Sequence, residues 1–362
     1  MRFKSKRPLF FLEIVFFFKR RNELKLRLFR RSCFSILGIN YRGSVSLRDT
    51  KGNIHCTNVT RYEMVTGGLL CQEIDGLNHF FEERNEISVK NAVINVANGS
   101  IFLRDSSKQG LRLIEESVIG NPVMRLIEEE SGYHRVHKLG SGKIKLGIMS
   151  RNYFHAVIEE VPRLLKSNVD TPALLGSNGS WLGNEIYRDS KLILSPAKNL
   201  IEVDEIEFIS SGFDSGYLHP EDFGVLRNFQ MQVCVKDRNP YPKKVYISRL
   251  NSRRSPINEN QVARIFERYG FTIIEPSSKT LVEQMTYFSN ISHIAGISGA
   301  GLVNTLWGQN AKLLEIMPLD RINRCFEFMC SISNQKYELF TFQSHKFPID
   351  LVELERRINS FI

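Results

Sequence analysis

The sequence lacks the cysteine spacing of a zinc site and any apolar run long enough to cross a membrane. Its six cysteines form no C-x-x-C pair and have no companion histidines at zinc-ligand spacing. The apolar run from Pro8 to Phe18 contains Glu13 and is much shorter than the about 20 residues of a spanning helix. No internal repeat or low-complexity segment is visible. A composition of 42% hydrophobic and 24% charged residues excludes wholesale disorder. Because the six cysteines are scattered, reduced thiols in a cytosolic protein are expected.

Positive charge is in excess only at the N-terminal end. The chain has 49 Lys+Arg against 39 Asp+Glu, a net charge of +10. Residues 1–42 contain 12 Lys/Arg and 2 acids, so the remainder has 37 of each sign (49 − 12 and 39 − 2). A neutral remainder argues against a nucleic-acid groove through the fold, and no nucleic-acid partner is expected.

The N-terminal segment, residues 1–38, is basic and Phe-rich and allows three interpretations. It can lie at the interface of an anionic membrane, with its Lys and Arg side chains at the headgroups. It can equally be a first helix packed on the fold, and a signal anchor is the third interpretation. A cleaved signal peptide is disfavoured because Lys19, Arg20 and Arg21 follow the apolar run. Four N-x-[ST] sequons would matter only in a secretory lumen. They lie at Asn58, Asn98, Asn178 and Asn290.

The pattern of apolar residues predicts an α/β protein with a β-rich N-terminal portion. Short β-branched segments separated by Gly, Asn and Asp turns fill residues 39–119. A strand at 145–149 then leads into a helix at about 150–167, whose apolar residues recur at helical spacing. Further strand-like runs lie at 171–176, 191–195 and 203–212. Alternation of strands and helices predicts parallel sheet.

A polar stretch with two prolines, 238–242, predicts a boundary between an N-terminal domain (39–237) and a C-terminal domain (238–362). The C-terminal domain alternates strands and helices in the manner of a doubly wound half, with apolar strands covered on both faces. The predicted strands are 245–249, 271–276, 293–297 and 311–318; the predicted helices are 258–270, 280–291, one that follows the turn at 298, and an amphipathic helix at about 350–362 that can cross back.

Two segments of the C-terminal domain suit an anionic ligand. The glycine-rich turn from Gly296 to Asn304 follows a strand and opens a helix, so its backbone N–H groups can face a diphosphate. The alternative is that its glycines serve only close packing. The second segment, just past the end of the first strand, carries Arg249, Arg253 and Arg254, whose guanidinium groups suit phosphate recognition. A solvated basic loop is the alternative there.

His155 and Glu159 are four residues apart on the predicted helix, so their side chains are neighbours. A carboxylate beside an imidazole fixes its tautomer and raises its basicity, as a general base requires. On spacing alone, an ordinary surface pair is the commoner outcome.

Taken together, these segments resemble the family-61 (DUF563) glycosyltransferases. This family includes bacterial capsular-polysaccharide enzymes, plant xylan-substituting enzymes and the animal EGF-domain O-GlcNAc transferase. The family's helix motif matches at Asn152, Tyr153, Phe154, His155, Glu159, Pro162, Arg163 and Leu164, with Ala156 in place of a tryptophan. The C-terminal motifs match at Ser248-Arg249, Arg253-Arg254, Asn258-Glu259, Gly270-Phe271, Glu275-Pro276, Glu283-Gln284, Gly299 to Asn304 and Glu315 to Pro318.

The resemblance implies a GT-B-like fold of two Rossmann-like domains facing a cleft, an inverting mechanism and no obligatory metal. The absence of any D-x-D triplet agrees with this. The N-terminal domain would be the acceptor side, with His155 as base aided by Glu159. The C-terminal domain would bind the nucleotide-sugar donor, with Glu315 contacting the ribose or base. The implied donor-binding residues are Arg249, Arg253, Arg254, Glu275, Ser298, Gly299, Ala300, Gly301, Asn304 and Glu315. No cofactor is expected.

One departure concerns Ser298, which stands where the family motif has histidine. Serine can donate to a phosphate but cannot act as a base. The expected function is transfer of a sugar from a nucleotide sugar to a glycan or lipid-linked glycan in surface polysaccharide biosynthesis, at the cytoplasmic face of the inner membrane. A catalytically impaired member that binds a nucleotide sugar or glycan as a partner subunit is the alternative, and a Golgi-lumen enzyme is the alternative location.

Overall fold

A computed structural model describes the chain in segments. These are residues 41–45, 54–58, 62–66, 77–81, 85–96, 99–105, 110–114, 136–139, 142–150, 152–167, 170–176, 192–194, 200–209, 216–234, 241–250, 252 and 254–362. The predicted N-terminal segment 1–38, the sequons at Asn98 and Asn178, and Arg253 lie outside the described residues. In the described part, no helix is long and apolar enough to cross a membrane.

The chain divides into two compact units that do not follow the predicted boundary at residue 238. The first unit takes Met1–Thr60, Glu83–Arg151 and Ser167–Ser215, and the second takes Arg61–Glu82, Asn152–Lys166 and Gly216–Ile362. The helix of His155 therefore belongs to the unit of the C-terminal sheet, although it was assigned from sequence to the N-terminal domain. The Pro-rich stretch that suggested the boundary is a local feature of the sequence and carries no information about these long-range contacts.

The first unit is built on one mixed sheet. Its described strands are β1 (Tyr41–Val45), β2 (Ile54–Asn58), β5 (Asn85–Asn95), β6 (Ile101–Asp105), β7 (Gly110–Ile114), β8 (Val136–Lys138), β9 (Lys143–Leu146), β10 (Ala173–Leu175), β11 (Leu192–Leu194) and β12 (Leu200–Ile209). The sheet runs in the order β1-β7-β6-β5-β12-β9-β10-β11, with β2 beside β5 and β8 beside β12. Strands β5, β6 and β7 pair antiparallel, whereas β9, β10 and β11 pair parallel. The predicted β-rich portion is thus confirmed, and so is parallel pairing beyond it.

The second unit contains a parallel sheet with helices between its strands. Before that sheet come the hairpin β3 (Tyr62–Thr66) and β4 (Leu77–Phe81), the helix α1, and α2 (Pro220–Val233). Helix α1 has three consecutive segments: α-helical Tyr153–His155, π-helical Ala156–Glu160 and α-helical Val161–Lys166. The sheet and its helices are β13 (Lys244–Ile247), α3 (Glu259–Arg268), β14 (Thr272–Ile274), α4 (Leu281–Phe288), β15 (His293–Ile297), β16 (Lys312–Pro318), α5 (Cys325–Ile332), β17 (Lys336–Phe342) and α6 (Leu351–Phe361).

The strand order of this sheet is β14-β13-β15-β16-β17, and every pair is parallel. The α/β class is confirmed, together with the alternation of strands and helices predicted for residues 245–318. Helices α3 and α6 cover one face with Val262, Phe266, Leu354, Ile358 and Phe361, which pack on Tyr246, Ala295 and Leu314 of the strands. Helix α4 begins as its sequence dictates, because Thr280 and Glu283 form a reciprocal capping box.

The segment after the glycine turn differs from its prediction. Residues Ala300–Trp307 form a 3₁₀ helix where the sequence predicted an α-helix. The side chains of Asn304 and Thr305 each donate to the carbonyl three residues earlier, of Gly301 and Leu302. These bonds favour the tighter turn, since they occupy carbonyls at the i−3 spacing.

Candidate functional site

The carboxyl ends of β13 and β15 form the point at which the order of the parallel sheet reverses. Strand β14 lies on one side of β13, whereas β15, β16 and β17 follow on the other. In open α/β sheets the loops at such a point diverge and leave a crevice for a ligand. The loop after β13 begins with Ser248 and Arg249, and the loop after β15 begins with Ser298 and Gly299. The two anion-binding segments predicted from sequence therefore meet here.

Arg249 bridges these two loops. Its Nη1 donates to the carbonyl oxygen of Ser298, and its Nε donates to Ser252 Oγ at 3.1 Å. Burial lowers the pKa of Arg249, and the charge of Arg254 lowers it further, while Glu259 and Tyr246 act in the opposite direction. An arginine nevertheless remains charged near neutral pH. A partly buried cation is thus held at this edge of the sheet by neutral hydroxyl and carbonyl partners.

The sequence allowed two roles for the glycines of the turn, close packing or access for a ligand, and the structure assigns different glycines to each. A Cβ at residue 296 would lie 2.9 Å from the carbonyl oxygen of Ile247, and one at residue 301 would lie 3.1 Å from Ile247 Cγ2. Gly296 and Gly301 are therefore explained by close packing. A Cβ on Gly299 would instead lie 2.5 Å from Arg249 Nη1. Gly299 is the glycine whose missing side chain makes room for the charged group.

Glu259 fixes the conformation of the loop that follows β13 and carries Arg249, here called the arginine loop. This role was not predicted. This carboxylate is 1% exposed at the start of α3. It accepts the backbone N–H of Arg249, the hydroxyl of Ser255 at 2.8 Å and the hydroxyl of Ser248 at 3.4 Å. A buried carboxylate that binds a loop through several donors fixes its conformation, because leaving those donors unpaired is costly. The signal for it in the sequence is the Asn258-Glu259 pair, which matches the family motif.

Glu315 lies in the middle of β16 rather than at a strand end, and its side chain is fully buried. Tyr337 on the neighbouring strand donates its hydroxyl to Glu315 Oε2 at 2.8 Å. Burial raises the pKa of Glu315 to about 7, although hydrogen bonds from Ser298 and Tyr337 act to lower it. This placement does not suit the expected contact with a ribose or base. Glu315 is instead held inside the sheet, where the hydroxyl of Tyr337 on the neighbouring strand binds it.

Asn304 is also fully buried, and both ends of its amide are used by the fold. Its Oδ1 accepts from Tyr153 Oη at 3.1 Å and from Trp307 Nε1 at 3.0 Å. Its Nδ2 donates to Gln284 Oε1 at 2.9 Å and to Gly301 O at 3.0 Å. Its geometry indicates a positioning residue that ties helix α1 and helix α4 to the turn, in place of the predicted donor contact.

The predicted pairing of His155 and Glu159 is confirmed by geometry. His155 Nδ1 lies 2.7 Å from Glu159 Oε1, with side-chain exposures of 26% and 1%. The backbone N–H of Gly216, whose φ is 100°, donates to the same oxygen at 2.6 Å. Burial raises the pKa of Glu159, but the bonds from His155 and Gly216 and the charges of His155 and Arg163 outweigh it, so the pKa is lowered. An ionised Glu159 can only accept, which places the imidazole proton on Nδ1 and the lone pair on Nε2.

The widened turn of α1 begins directly after His155. Pro162 has no N–H for the carbonyl of Ile158, and its ring would collide with that carbonyl in a regular α-helix. The π-helical segment Ala156–Glu160 ends two residues before this proline, where the wider turn relieves the conflict. Single π-helical turns often occur at functional sites.

The remaining predicted residues have looser placements. Arg254 and Glu275 are exposed after β13 and β14, and Ala300 is half-buried at the start of the 3₁₀ segment. Arg253 is not among the described residues. Within the described ranges, no three His, Cys, Asp or Glu side chains are grouped as metal ligands.

The stretch from the start of α1 into β16 corresponds to a known domain. Residues 153–314 match the family model described as Glycosyltransferase 61. The matched range includes His155, Glu159, the arginine loop and the glycine turn. No curated protein matches the chain at a significant level.

Proposed function

We propose that this protein is an inverting, metal-independent enzyme that uses a nucleotide-sugar donor. The premise is that residues 153–314 are a glycosyltransferase family 61 domain and that the chain is a glycosyltransferase. The observation that carries the proposal is Arg249 held against Gly299 where the strand order reverses. That arrangement offers a desolvated cation and a glycine-opened backbone to the same ligand.

The donor diphosphate would lie over the turn at residues 298–301. Two of the five N–H groups of Arg249 are used by its contacts with Ser252 and Ser298 within the described residues, which leaves others for phosphate oxygens. The first N–H groups of the 3₁₀ segment, at Ala300 and Gly301, have no intrahelical acceptor and can add to the charge stabilisation. Stabilising the leaving diphosphate in this way takes the place of a metal ion in the proposal.

His155 would act as the general base. As the acceptor hydroxyl oxygen bonds to the anomeric carbon, its proton passes to His155 Nε2, and the bond from that carbon to the diphosphate oxygen breaks. The electron pair of that bond leaves with the diphosphate, and attack from the opposite face inverts the anomeric centre. Glu159 stabilises the imidazolium that forms, since its buried carboxylate lies 2.7 Å from Nδ1.

The acceptor and setting are inferred from the resemblance and from the N-terminal segment. We propose a glycan or lipid-linked glycan acceptor in surface polysaccharide biosynthesis, as in the capsular-polysaccharide members of the family. Peripheral contact of the basic segment 1–38 with an anionic membrane would keep the enzyme near such an acceptor. A Golgi-lumen location would instead predict glycosylation at the sequons, of which Asn290 is exposed in a turn after α4.

Ser298 favours one alternative function, a catalytically impaired subunit that binds a nucleotide sugar or glycan. Restoring histidine with Ser298→His separates the two functions. A large gain in turnover favours the impaired subunit, whereas no gain favours serine as a working solution.

The proposed function is tested by offering the protein UDP-, GDP-, CMP- and dTDP-sugars and measuring melting temperature and donor hydrolysis. A bound donor raises the melting temperature because it stabilises only the folded state. Arg249→Gln should abolish that rise, whereas Arg268→Gln, at an exposed arginine of α3, should leave it intact. A panel that neither raises the melting temperature nor is hydrolysed would refute the proposal.

A further inference from the structure

Arginine and histidine side chains follow three of the parallel strands, in loops at the carboxyl edge of the five-stranded sheet. Because all five strands are parallel, the loops that follow them open on the same edge. Arg249 and Arg254 follow β13, Arg321 follows β16 and His345 follows β17. Arg321 and His345 lie beyond the range matched by the family model, residues 153–314, and belong to none of the sequence motifs.

His345 is the member of this group with an unused polar atom. Its ring meets Phe342 edge-on, with centroids 5.8 Å apart. Its Nδ1 is buried and has no hydrogen-bond partner among the described residues. A buried ring nitrogen without a partner is unfavourable unless a ligand or water supplies one.

The charges that face His345 are mostly positive. Burial lowers the pKa of His345, and the charges of Arg249, Arg254 and Arg321 lower it further, while Asp320 acts to raise it. Lys346, the next residue, is a further exposed cation. Several positive charges around one neutral imidazole favour the binding of an anion. The anion would neutralise the arginines and favour the protonated form of the ring.

We propose that His345 and Arg321 bind the diphosphate of the sugar nucleotide, with a ring N–H of His345 donating a hydrogen bond to a phosphate oxygen. This rests on the proposed function, because it assumes that the donor occupies this sheet edge. It extends the donor site from the loops after β13 and β15 to those after β16 and β17.

The consequence is a coupling between donor binding and protonation. In the protein without a ligand, the pKa of His345 lies below the ordinary histidine value of about 6.5. A bound diphosphate would raise that pKa. Binding therefore takes up a proton in the interval between the two values. Affinity should strengthen as pH falls through the pKa of the complex and level off below that of the free protein. The probes are UDP-glucose, GDP-mannose and dTDP-glucose, whose diesterified phosphates have no proton to lose near neutral pH.

The experiment measures the affinity of each probe by calorimetry at about pH 6 and about pH 8. We expect tighter binding at the lower pH, a loss of about tenfold or more in His345→Gln at that pH, and a flattened pH dependence in the variant. Glu315 titrates in the same range, so the comparison between wild type and His345→Gln isolates the imidazole. His293→Gln is the matched control, since His293 begins β15 at the opposite edge of the sheet.

Arg321 provides a second test that does not depend on the folding of a core variant, because its side chain is exposed. Arg321→Gln should weaken binding several-fold, whereas Arg268→Gln should not. If a probe binds wild type but His345→Gln retains the full pH dependence and Arg321→Gln binds as Arg268→Gln does, this inference is overturned and the proposed function stands. If no probe binds wild type, both fall together.

Discussion

A Cβ on residue 299 would lie 2.5 Å from Nη1 and 2.9 Å from Cζ of Arg249. Gly299→Ala therefore displaces the guanidinium, which ends a flexible side chain and can move without disturbing the sheet. We expect about a tenfold loss of nucleotide-sugar affinity with little change in melting temperature. Calorimetry and thermal unfolding of the same preparation would measure both.

The matched control is Gly224→Ala in helix α2, where an added Cβ meets nothing within 4 Å. That variant should gain about 0.5–1 kcal/mol of stability, because alanine is favoured over glycine inside a helix. Its donor affinity should be unchanged. If Gly299→Ala has the same donor affinity as wild type, Arg249 does not need a glycine beside it.

His155→Gln should reduce turnover by about 10²- to 10⁴-fold while leaving donor affinity close to wild type. The reason is that His155 is proposed to act only on the acceptor proton. Steady-state kinetics with the donor and acceptor varied separately would show a fall in kcat with an unchanged donor KM. A matching loss of donor binding would place the imidazole in the donor site instead.

Glu159→Gln should also reduce kcat, because the neutral amide no longer stabilises the imidazolium. Since the pKa of Glu159 is lowered in the folded protein from its ordinary value of 4.5, its ionised form contributes stability above that unfolded value. That contribution is lost as pH falls through the lower folded value. Urea unfolding of wild type and Glu159→Gln from neutral to acidic pH should therefore show the difference between them shrinking at the acidic end.

Glu315 predicts the opposite pH dependence. Its folded pKa of about 7 lies above its ordinary value of 4.5, so stability is greatest below the unfolded pKa and declines as pH rises toward 7. Glu315→Gln removes this decline and should be more stable than wild type at about pH 8, by up to about 3 kcal/mol. Near pH 4 the two proteins should unfold alike. Glu267→Gln, at an exposed residue of α3, is the control and should show no such pH-dependent gain.

Asn304→Ala should cost about 2–4 kcal/mol of unfolding free energy, since it leaves the hydroxyl of Tyr153 and the indole N–H of Trp307 without their acceptor. Tyr153→Phe removes one of these bonds and should cost about 1 kcal/mol. A double-mutant cycle by urea unfolding would measure their coupling. Additive losses would show that the 3.1 Å contact between Tyr153 and Asn304 contributes no net stability.

Much of the second unit was predictable because its signals are local. The strands from β13 to β16 are apolar runs bounded by polar turns, and a parallel sheet places their following loops on one edge. His155 and Glu159 were predicted to meet because helical spacing brings residues four apart together. That Arg249 and the turn at Gly299 share a ligand was implied by the family resemblance, and both loops lie at the carboxyl edge of the sheet.

What the sequence did not predict depends on long-range packing. Asn304 and Glu315 are polar residues in motifs, which suggested ligand contacts, yet their burial is decided by partners on other elements, Tyr153 and Tyr337. Helix α5 was not predicted because six consecutive residues, Cys325–Cys330, are buried, which obscures the alternation of polar and apolar faces. His345 acquires its surroundings only when β17 is placed beside β16, a pairing that nothing local reveals.

The division of the chain has a consequence for any attempt to take the protein apart. The chain passes from one unit to the other at Thr60–Arg61, Glu82–Glu83, Arg151–Asn152, Lys166–Ser167 and Ser215–Gly216. A fragment beginning at residue 216 or 238 would keep the whole parallel sheet and lose helix α1, and with it both His155 and the tyrosine that binds Asn304. No single cut separates the second unit from the first. The proposed base and the donor loops can therefore be inherited, exchanged or expressed together only with residues 167–215 of the first unit, which lie between them in sequence.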